Sequence, residues 1–402
     1  MTSGTLFISN GHAEDLIGAA LAREVRALEA GPLLALPLVA EGKAYAGLAE
    51  VVGPLLTLPS GGFPFGSLEN LRADVRAGLL TTSVRQWFAA RKLAGRVRRV
   101  VVVGDTYALA VGALAAREIG RAAPGTRGPR LPLVHVQPLV SSLYAQGMSA
   151  ADHLRELNAL GANVFMPWET ALGRRAWRVY TRDAGSARHL SLKGVNAAYR
   201  GSFAMDVLPA PERDLSELRD GRPVLALLPG QRGDAGVSLP VMLDAAARLP
   251  ELQAVAAFPR PFAELPDLPG WTVDMQDEFT ATATREGARV WLLRGAFSAT
   301  VHAARLALGT AGTANEQTAG LGVPVIGFPT RGPQYVPGFA TRQARLLGRA
   351  LTLSAPDAGA VAEAARRLLQ DPERYAAAQT DGRARIGAAG ALPAIAREMQ
   401  AL

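Results

Sequence analysis

Short apolar runs alternate with helix-length segments along most of this 402-residue chain, and turns of small residues separate the two. The first run, Gly4–Ser9, precedes the turn Asn10-Gly11-His12 and a helix that we predict from about Glu14 to Ala30. Further strands are predicted in the first half at Leu33–Val39, Arg99–Val103 and Leu131–Gln137, with weaker candidates at Asn163–Met166 and Ala176–Tyr180. Runs that are apolar on both faces are typical of strands covered by helices, so the pattern predicts an α/β fold built on parallel sheets.

The alternation restarts after Leu208–Arg222, a polar and proline-rich stretch that is typical of a linker. Strands are predicted beyond it at Pro223–Leu228, Gln253–Phe258, Ala288–Leu293, Arg305–Leu308 and Val323–Phe328, and helices at about Asn315–Gly320, Gly359–Leu369, Pro372–Ile386 and Ala391–Leu402. A chain of this length commonly holds two domains. We therefore predict two Rossmann-like domains, residues 1–208 and 209–388, facing each other across a cleft, and a terminal helix in 389–402 that packs back on the first domain.

The charge balance is basic, with 43 Lys and Arg residues against 35 Asp and Glu residues. A basic surface favours phosphates, nucleic acid or an anionic membrane face. The arginines are spread along the chain, without a basic tail or an aromatic-rich motif, so nucleic acid is not an expected partner. Cysteine is absent, which excludes disulfides and thiolate zinc sites, and the histidines lack ligand spacing, so no metal site is expected.

The sequence lacks the marks of a secretory leader and of a membrane span. The start MTSGTLFISN has no positive flank and no small-residue cleavage site. The most apolar stretch, from Val100 to Ala116, is short and contains Asp105. We expect a cytoplasmic protein, associated peripherally with the inner face of the membrane.

Residues 60–95 interrupt the first series with a segment that supports two interpretations. Its apolar residues recur at helical spacing, at Leu68, Leu71, Val75, Leu79, Leu80, Val84, Trp87 and Phe88. Arginines occupy several of the other positions. The segment is either a helix packed on its own domain or a patch that contacts a membrane or an acyl chain, with its arginines meeting anionic head groups.

The stretch from Gly309 to Gly327 is the most informative motif. It consists of a strand end, a turn of small residues and a helix start, with Gly312, Thr313, Ala314, Asn315, Glu316 and Gln317 at the turn and in the first helical turn. Backbone N–H groups at a helix N-terminus suit a diphosphate, and Glu316 is placed to reach a ribose hydroxyl pair. The alternative is an ordinary helix cap.

A second glycine turn, Pro229-Gly230-Gln231-Arg232-Gly233, follows the first strand of the second series. Gly230 allows close approach of the backbone to a ligand. Arg232 can make a bidentate contact to phosphate. The alternative is a strand-to-helix loop in which Arg232 is solvated.

Two stretches in the first series carry candidate acid–base residues. Ser9–Ala19 places Asn10, Gly11, His12, Glu14 and Asp15 between a strand and a helix, and Asp105 follows another strand directly after Gly104. A histidine or a carboxylate at such a strand end can remove a proton from an acceptor hydroxyl. The alternatives are that Glu14 and Asp15 complement the helix dipole and that Asp105 is a helix N-cap.

Taken in order along the chain, these motifs resemble the lipid-A-disaccharide synthase family of glycosyltransferases, and more closely its lipid-A-disaccharide synthase-related branch. Ser9–Ala19 resembles the first glycine-rich turn of the family, and Gly104-Asp105 resembles the segment that holds its proposed catalytic Asp. Tyr199–Asp206 resembles the G-[NH]-P-[ML]-x-D element. Leu228–Arg232 resembles the L-P-G-S-R element, and Gly309–Pro324 resembles the S-G-T-A-x-x-E element that binds the nucleotide sugar.

The resemblance implies a GT-B fold and inverting transfer of a sugar from a UDP-sugar donor, of the UDP-GlcNAc type, to a lipid-linked or envelope-related acceptor. It implies that Glu316 binds the uridine ribose and that Arg232 and the N–H groups near Gly312–Ala314 hold the diphosphate without a metal or other cofactor. Asp105, or a group in His12–Asp15, would activate the acceptor hydroxyl. Two alternatives share the fold, namely a UDP-sugar 2-epimerase-like enzyme and a non-catalytic nucleotide-sugar binder.

Overall fold

A computed structural model describes residues 3–39, 41–55, 72, 75–121, 130–149, 151, 164–230 and 233–402 of the chain. Contacts between residues divide the chain into two compact units. Unit 1 consists of Met1–Val207 and Ala389–Leu402, and unit 2 consists of Leu208–Ala388. The domain boundaries predicted from the sequence lie after residues 208 and 388, close to those of the two units. Each unit is a sheet with helices packed on it.

The sheet of unit 1 has seven strands, and all of its pairings are parallel. In spatial order it reads β3-β2-β1-β4-β5-β6-β7. The strands are β1 Gly4–Ser9, β2 Leu33–Pro37, β3 Glu50–Val51, β4 Val97–Val103, β5 Leu133–Gln137, β6 Arg178–Thr181 and β7 Ala197–Ala198. Strands β1 and β4 are neighbours and end together, with Ser9 opposite Val103. Their following turns therefore lie side by side, although about ninety residues separate them along the chain.

Helices cover both faces of this sheet. The helices described in unit 1 are α1 His12–Leu28, α2 Leu79–Arg91, α3 Thr106–Arg121, α4 Pro167–Gly173, α5 Ala184–Leu192, α6 Phe203–Asp206 and, at the end of the chain, α13 Ala391–Met399. One apolar core includes side chains of β1, β4 and α3, among them Ile8, Val102 and Leu109. The other core includes side chains of β1 and α1 together with Leu392 and Ile395 of α13. The last helix is thus part of the core of unit 1.

Polar contacts fix α13 in this position at both of its ends. The Asp206 carboxylate accepts hydrogen bonds from the backbone N–H groups of Gly390 (2.5 Å) and Leu392 (2.8 Å) at the helix start. At the other end, the buried Arg99 guanidinium donates to the Met399 carbonyl (2.6 Å) and pairs with Glu29. Glu398 pairs with Arg178 and Arg200. These contacts explain why the chain returns to unit 1 after completing unit 2.

Replacing Asp206 with alanine should destabilise unit 1, because two backbone donors at the start of α13 would lose their acceptor. Loss of an N-cap carboxylate costs about 0.5–2 kcal/mol. Urea unfolding followed by circular dichroism should show a lower midpoint without a change in slope. Asp206→Asn should lower the midpoint less than Asp206→Ala, since its single amide oxygen can still accept one of the two hydrogen bonds. Equal midpoints for wild type and Asp206→Ala would contradict this role.

The sheet of unit 2 has eight strands, in the spatial order β10-β11-β12-β9-β8-β13-β14-β15. They are β8 Val224–Leu228, β9 Gln253–Phe258, β10 Thr272–Met275, β11 Thr280–Arg285, β12 Ala288–Arg294, β13 Ala304–Gly309, β14 Val325–Gly327 and β15 Leu351–Leu353. Its helices are α7 Asp234–Ala246, α8 Phe297–Ala303, α9 Thr313–Gly320, α10 Pro337–Leu347, α11 Ala358–Gln370 and α12 Pro372–Ile386. Strands β8 and β13 are parallel neighbours at the centre, with Leu228 opposite Gly309.

The sequence pattern did not indicate the antiparallel edge of the second sheet. Strands β10, β11 and β12 form an antiparallel meander, of which only the last strand was predicted. A two-residue turn, Glu286-Gly287, joins β11 to β12, and both of its residues have positive φ. Such a turn matches the right-handed twist of a hairpin and reverses the chain directly, so no crossover helix is needed.

The weak strand predicted at Asn163–Met166 was wrong for its described part. Residues 164–166 are not in a strand, and Asn163 lies outside the described residues. Met166 is extended and is the N-cap of α4, whose first residue is Pro167. Proline favours the first helical position, and it pushes the preceding residue into an extended conformation.

Helix α2 forms the later part of the predicted amphipathic segment. Leu68 and Leu71 lie outside the described residues. The helix is held to unit 1 by Gln86, whose buried amide donates to the carbonyls of Leu38 (3.0 Å) and Pro54 (3.2 Å). Val84 and Phe88, by contrast, are 54% and 51% exposed. The helix is anchored to its own unit and still presents apolar side chains at the surface.

None of the helices in the described parts of the chain combines the length and the apolar character needed to cross a bilayer.

Candidate functional site

The turns after β1 and β4 meet at the carboxyl edge of the unit 1 sheet. The Asn10 side-chain amide donates to Asp105 Oδ1 at 2.7 Å. Gly104 makes this approach possible, because a Cβ on it would lie 1.9 Å from Asn10 Oδ1 and its φ of +147° is strained for any other residue. Asn10 and Asp105, two of the predicted site residues, are therefore in direct contact.

Asp105 is both a helix cap and a partly exposed carboxylate. Its Oδ1 atom accepts hydrogen bonds from the backbone N–H groups of Tyr107 (2.9 Å) and Ala108 (3.2 Å) in the first turn of α3, in addition to the one from Asn10. None of the hydrogen bonds in the described part of the chain uses Oδ2. Burial raises the pKa of Asp105 to about 6 despite these three donors. The geometry of Asp105 therefore fits both a helix N-cap and a general base.

Glu169 is a second carboxyl group near Asp105, and the sequence patterns did not indicate it. It lies in the first turn of α4 and is only 3% exposed. Gln137, at the end of β5, donates to Glu169 Oε1 at 2.5 Å. Burial and the nearby negative charge of Asp105 raise the pKa of Glu169 to about 7.

Asp15 belongs to a separate buried group at the start of α1. It accepts a hydrogen bond from Ser9 Oγ at 2.5 Å, and Ser9 Oγ lies 3.1 Å from the Tyr45 hydroxyl. Burial raises the pKa of Asp15 to about 6. Glu14 is also buried, and a Cβ on Gly11 would lie 2.2 Å from its carboxylate, so Glu14 lies over the turn. His12, in contrast, is exposed at the first position of α1.

His135 is a buried histidine beside this edge of the sheet. Its Nε2 atom lies 3.0 Å from the Gly104 carbonyl, and burial lowers its pKa to about 4. The ring is therefore neutral near pH 7, and it does not add a positive charge next to Asp105.

In unit 2, the turns after β8 and β13 pack against each other at the carboxyl edge of the sheet. The Thr310 N–H donates to the Leu228 carbonyl (3.1 Å), and its hydroxyl donates to the Pro229 carbonyl (3.3 Å). Gly230 has a φ of +83°, and a Cβ on it would lie 3.2 Å from the Thr310 carbonyl oxygen. The two predicted glycine turns are thus adjacent. Gln231 and Arg232 lie outside the described residues.

Asn315 shapes the turn that leads into α9. Its fully buried amide donates to Gln343 (2.9 Å) and to the Gly309 carbonyl (3.2 Å), and a Cβ on Gly309 would lie 2.0 Å from Asn315 Oδ1. Gln343 in turn donates to the carbonyls of Ala311 (3.0 Å) and Gly312 (2.9 Å). Asn315 is fully buried and positions the turn, and its contact with a ligand stays a prediction.

The start of α9 presents backbone donors at the end of β13. Gly312 is the N-cap residue and has no side-chain cap, so the first N–H groups of the helix, at Thr313 and Ala314, lack an intrahelical acceptor. Thr313 is exposed, and Ala314 and Glu316 are half-buried. Gln317, another predicted contact, is buried. An N-terminus of this kind attracts anions.

Asp234 holds a loop next to this turn, and the sequence did not indicate this role. Its buried carboxylate accepts hydrogen bonds from the Thr330 hydroxyl (2.7 Å) and from the backbone N–H groups of Tyr335 (2.9 Å) and Gln334 (3.1 Å). Tyr335 also donates to Gln343 (2.8 Å), which contacts the α9 turn. One network therefore links the 330–335 loop to the turn.

Among the residues that the structure describes, no group of three or more His, Cys, Asp or Glu side chains is arranged to hold a metal ion.

Comparison with known proteins gives one similar sequence and many similar folds. No family model matches the chain. The chain is 39% identical over 139 residues to a lipid-A-disaccharide synthase of Syntrophus aciditrophicus strain SB. The match spans 33% of this chain and 34% of that protein, so about a third of the length of the curated relative is covered.

Many solved structures match the fold of the chain, and two of them illustrate the range. The calicheamicin glycosyltransferase CalG4 matches with a TM-score of 0.59 and 18% identity, covering 100% of this chain and 98% of that one. The UDP-GlcNAc 2-epimerase of Neisseria meningitidis, solved bound to UDP-GlcNAc, matches with a TM-score of 0.58 and 14% identity, covering 99% and 100%. The chain therefore has the α/β GT-B fold, and over a third of its length it resembles lipid-A-disaccharide synthase.

Proposed function

We propose that this chain is a glycosyltransferase that moves a sugar, with inversion, from a UDP-sugar of the UDP-GlcNAc type to a lipid-linked or envelope-related acceptor. The observation that carries the proposal is the 39% identity to a lipid-A-disaccharide synthase. The GT-B fold, shared with CalG4, supports it.

The donor is assigned to unit 2. The uncapped N–H groups at the start of α9 would bind the diphosphate, and Arg232 would add a positive charge from the adjacent turn. Glu316, in the first turn of the same helix, would accept hydrogen bonds from the ribose hydroxyls. In this proposal backbone dipoles and arginine stabilise the charge that develops on the leaving UDP, without a metal.

Asp105 in unit 1 is assigned the role of general base. The acceptor oxygen attacks the anomeric carbon on the face opposite UDP, the bond between that carbon and the diphosphate oxygen breaks, and the hydroxyl proton passes to Asp105. Oδ2 suits this step, because Oδ1 already accepts three hydrogen bonds. Its partly exposed position makes it accessible to an acceptor.

Helix α2 supports a lipid-linked acceptor. Its exposed Val84 and Phe88 lie on the same element as Arg85 and Arg91. Apolar side chains beside arginines suit the surface of an anionic membrane. We propose that this helix brings unit 1 to the inner face of the membrane.

Calorimetric titration of nucleotides into the purified protein tests the donor assignment. UDP should bind, and it should bind more tightly than ADP or GDP at equal salt. If all three nucleotides bound equally, the interaction would be with the diphosphate alone and the proposal would lose its UDP specificity. If none bound to the folded protein, the donor site would be wrong.

A UDP-sugar 2-epimerase is the second candidate, because the Neisseria enzyme has the same fold. An epimerase converts its UDP-sugar without an acceptor, whereas a transferase releases UDP only when a sugar is transferred. Incubation with UDP-GlcNAc alone, followed by separation of the nucleotide sugars, distinguishes them. A new UDP-sugar in that incubation would favour the epimerase.

A further inference from the structure

We propose that Glu169 is a positioning residue that holds a proton beside Asp105, so that the two carboxyl groups share one negative charge and that charge lies on Asp105. This inference rests on the proposed role of Asp105 as the general base. It gives a role to Glu169, which the sequence patterns did not indicate. The two residues come from different elements, Asp105 from the start of α3 and Glu169 from α4.

The orientation of Gln137 shows which Glu169 oxygen receives a hydrogen bond. The Gln137 amide oxygen accepts hydrogen bonds from the N–H groups of Leu139 (3.0 Å) and Val140 (3.3 Å). Its NH₂ group is thereby directed to Glu169 Oε1. The other oxygen, Oε2, is buried and has no hydrogen-bond partner in the described part of the chain. The proton of the neutral acid therefore belongs on Oε2.

The surroundings favour the neutral form of Glu169. Within the described residues, neither Glu169 nor Asp105 lies within ion-pair distance of an arginine or a lysine. The groups that face the pair are all neutral. They are the Gln137 and Asn10 amides, the Thr106 hydroxyl, the Met166 backbone and the His135 ring. A buried carboxylate without a cation beside it is costly, and a second negative charge close by raises that cost.

The two carboxyl groups differ in exposure and in hydrogen bonding. Asp105 is partly exposed and its Oδ1 atom accepts three hydrogen bonds, whereas Glu169 is almost fully buried and its Oε2 atom has no hydrogen-bond partner among the described residues. The pKa is about 6 for Asp105 and about 7 for Glu169. Burial is the main cause of both shifts, so the more deeply buried Glu169 is the carboxyl group that keeps the shared proton. Asp105 then takes the proton of the acceptor hydroxyl while Glu169 keeps its own.

Infrared spectroscopy of the full-length protein tests this arrangement without donor or acceptor. The carbonyl stretch of a protonated carboxylic acid should disappear from the wild type as the pH is raised through about 7, the pKa of Glu169. The component of the band that titrates near pH 7 should be missing in Glu169→Gln, whose amide oxygen still accepts the Gln137 hydrogen bond. The acid bands of Asp15 and Asp105, which titrate near pH 6, should remain. Glu373→Gln, at an exposed glutamate of α12, is the matched control and should retain the band.

Asp105→Asn provides the second, independent readout. Removing the negative charge of Asp105 should let Glu169 ionise more easily, so its band should disappear at a lower pH than in the wild type. A Glu169 that does not share its charge with Asp105 would titrate at the same pH in both proteins. The proposal is overturned if Glu169→Gln retains the component that titrates near pH 7, or if Asp105→Asn leaves the titration of Glu169 unchanged. Neither spectrum requires turnover. The absence of transferase activity would therefore leave these titrations interpretable, and the two proposals can fail independently.

Discussion

Asp105→Asn should lower kcat for sugar transfer by about 10²- to 10⁴-fold, the usual contribution of a general base. The amide cannot take the proton of the acceptor hydroxyl. It can still accept the N–H hydrogen bonds at the start of α3, because asparagine caps helices about as well as aspartate does. Folding stability and the Kd for UDP should therefore remain close to those of the wild type.

Asp357→Asn is the matched control for this substitution. Asp357 caps α11 in unit 2 by accepting a hydrogen bond from the Ala360 N–H (2.9 Å), and its side chain is exposed. The same chemical change at the same type of cap should leave kcat unaltered. If Asp105→Asn transferred sugar at the control rate, Asp105 would be a helix cap only.

The rate of the wild-type enzyme should fall as the pH is lowered through about 6, because protonation of Asp105 removes the base. In Asp105→Asn, the small remaining rate should not fall as the pH is lowered through about 6. The comparison separates loss of the base from general damage to the site.

Glu316→Ala should raise the Kd for UDP by about ten- to a hundredfold. Hydrogen bonds to a charged group contribute about 1.5–3 kcal/mol, and each 1.4 kcal/mol is a tenfold change in affinity. Glu316 is half-buried in the first turn of α9, beside the N–H groups assigned to the diphosphate. The nucleotide titration described above measures this loss directly.

Glu373→Ala is the appropriate control, because Glu373 also lies in the first turn of a unit 2 helix. Both variants remove a carboxylate that is favourable near a helix N-terminus. Only Glu316→Ala should weaken UDP binding. Equal Kd values of UDP for the two variants would contradict the proposed contact between Glu316 and the ribose.

The strands at the centre of both sheets could be predicted from sequence, since they are buried on both faces and read as continuous apolar runs. Strand β1, predicted at Gly4–Ser9, has those bounds in the structure, and β9 likewise agrees at Gln253–Phe258. The antiparallel strand β11 was missed because its sequence, TATATR, alternates threonine with alanine and contains no large apolar residue. Helix α7 was missed because it contains Gly236 and Pro240, which usually interrupt helices.

The candidate site was predictable where its residues directly follow a strand. Asn10 and Asp105 could be selected for this reason, although their contact depends on β1 and β4 being parallel neighbours. Glu169 could not, because its side chain reaches the same edge from a helix that follows β5, and no local spacing marks it. The burial of Asn315 was equally hidden, since it is produced by Tyr335 and Gln343 from later segments.

The most direct test of the central claim is acceptor-dependent release of UDP. Purified protein is incubated with UDP-GlcNAc, with and without a detergent-dispersed bacterial membrane lipid extract, and both UDP and labelled glycolipid are measured. We predict that UDP and glycolipid appear in equal amounts, only when the extract is present, and that Asp105→Asn suppresses both. Conversion of UDP-GlcNAc at the same rate without the extract, or binding of UDP without any glycolipid product, would contradict assignment of the chain as a glycosyltransferase.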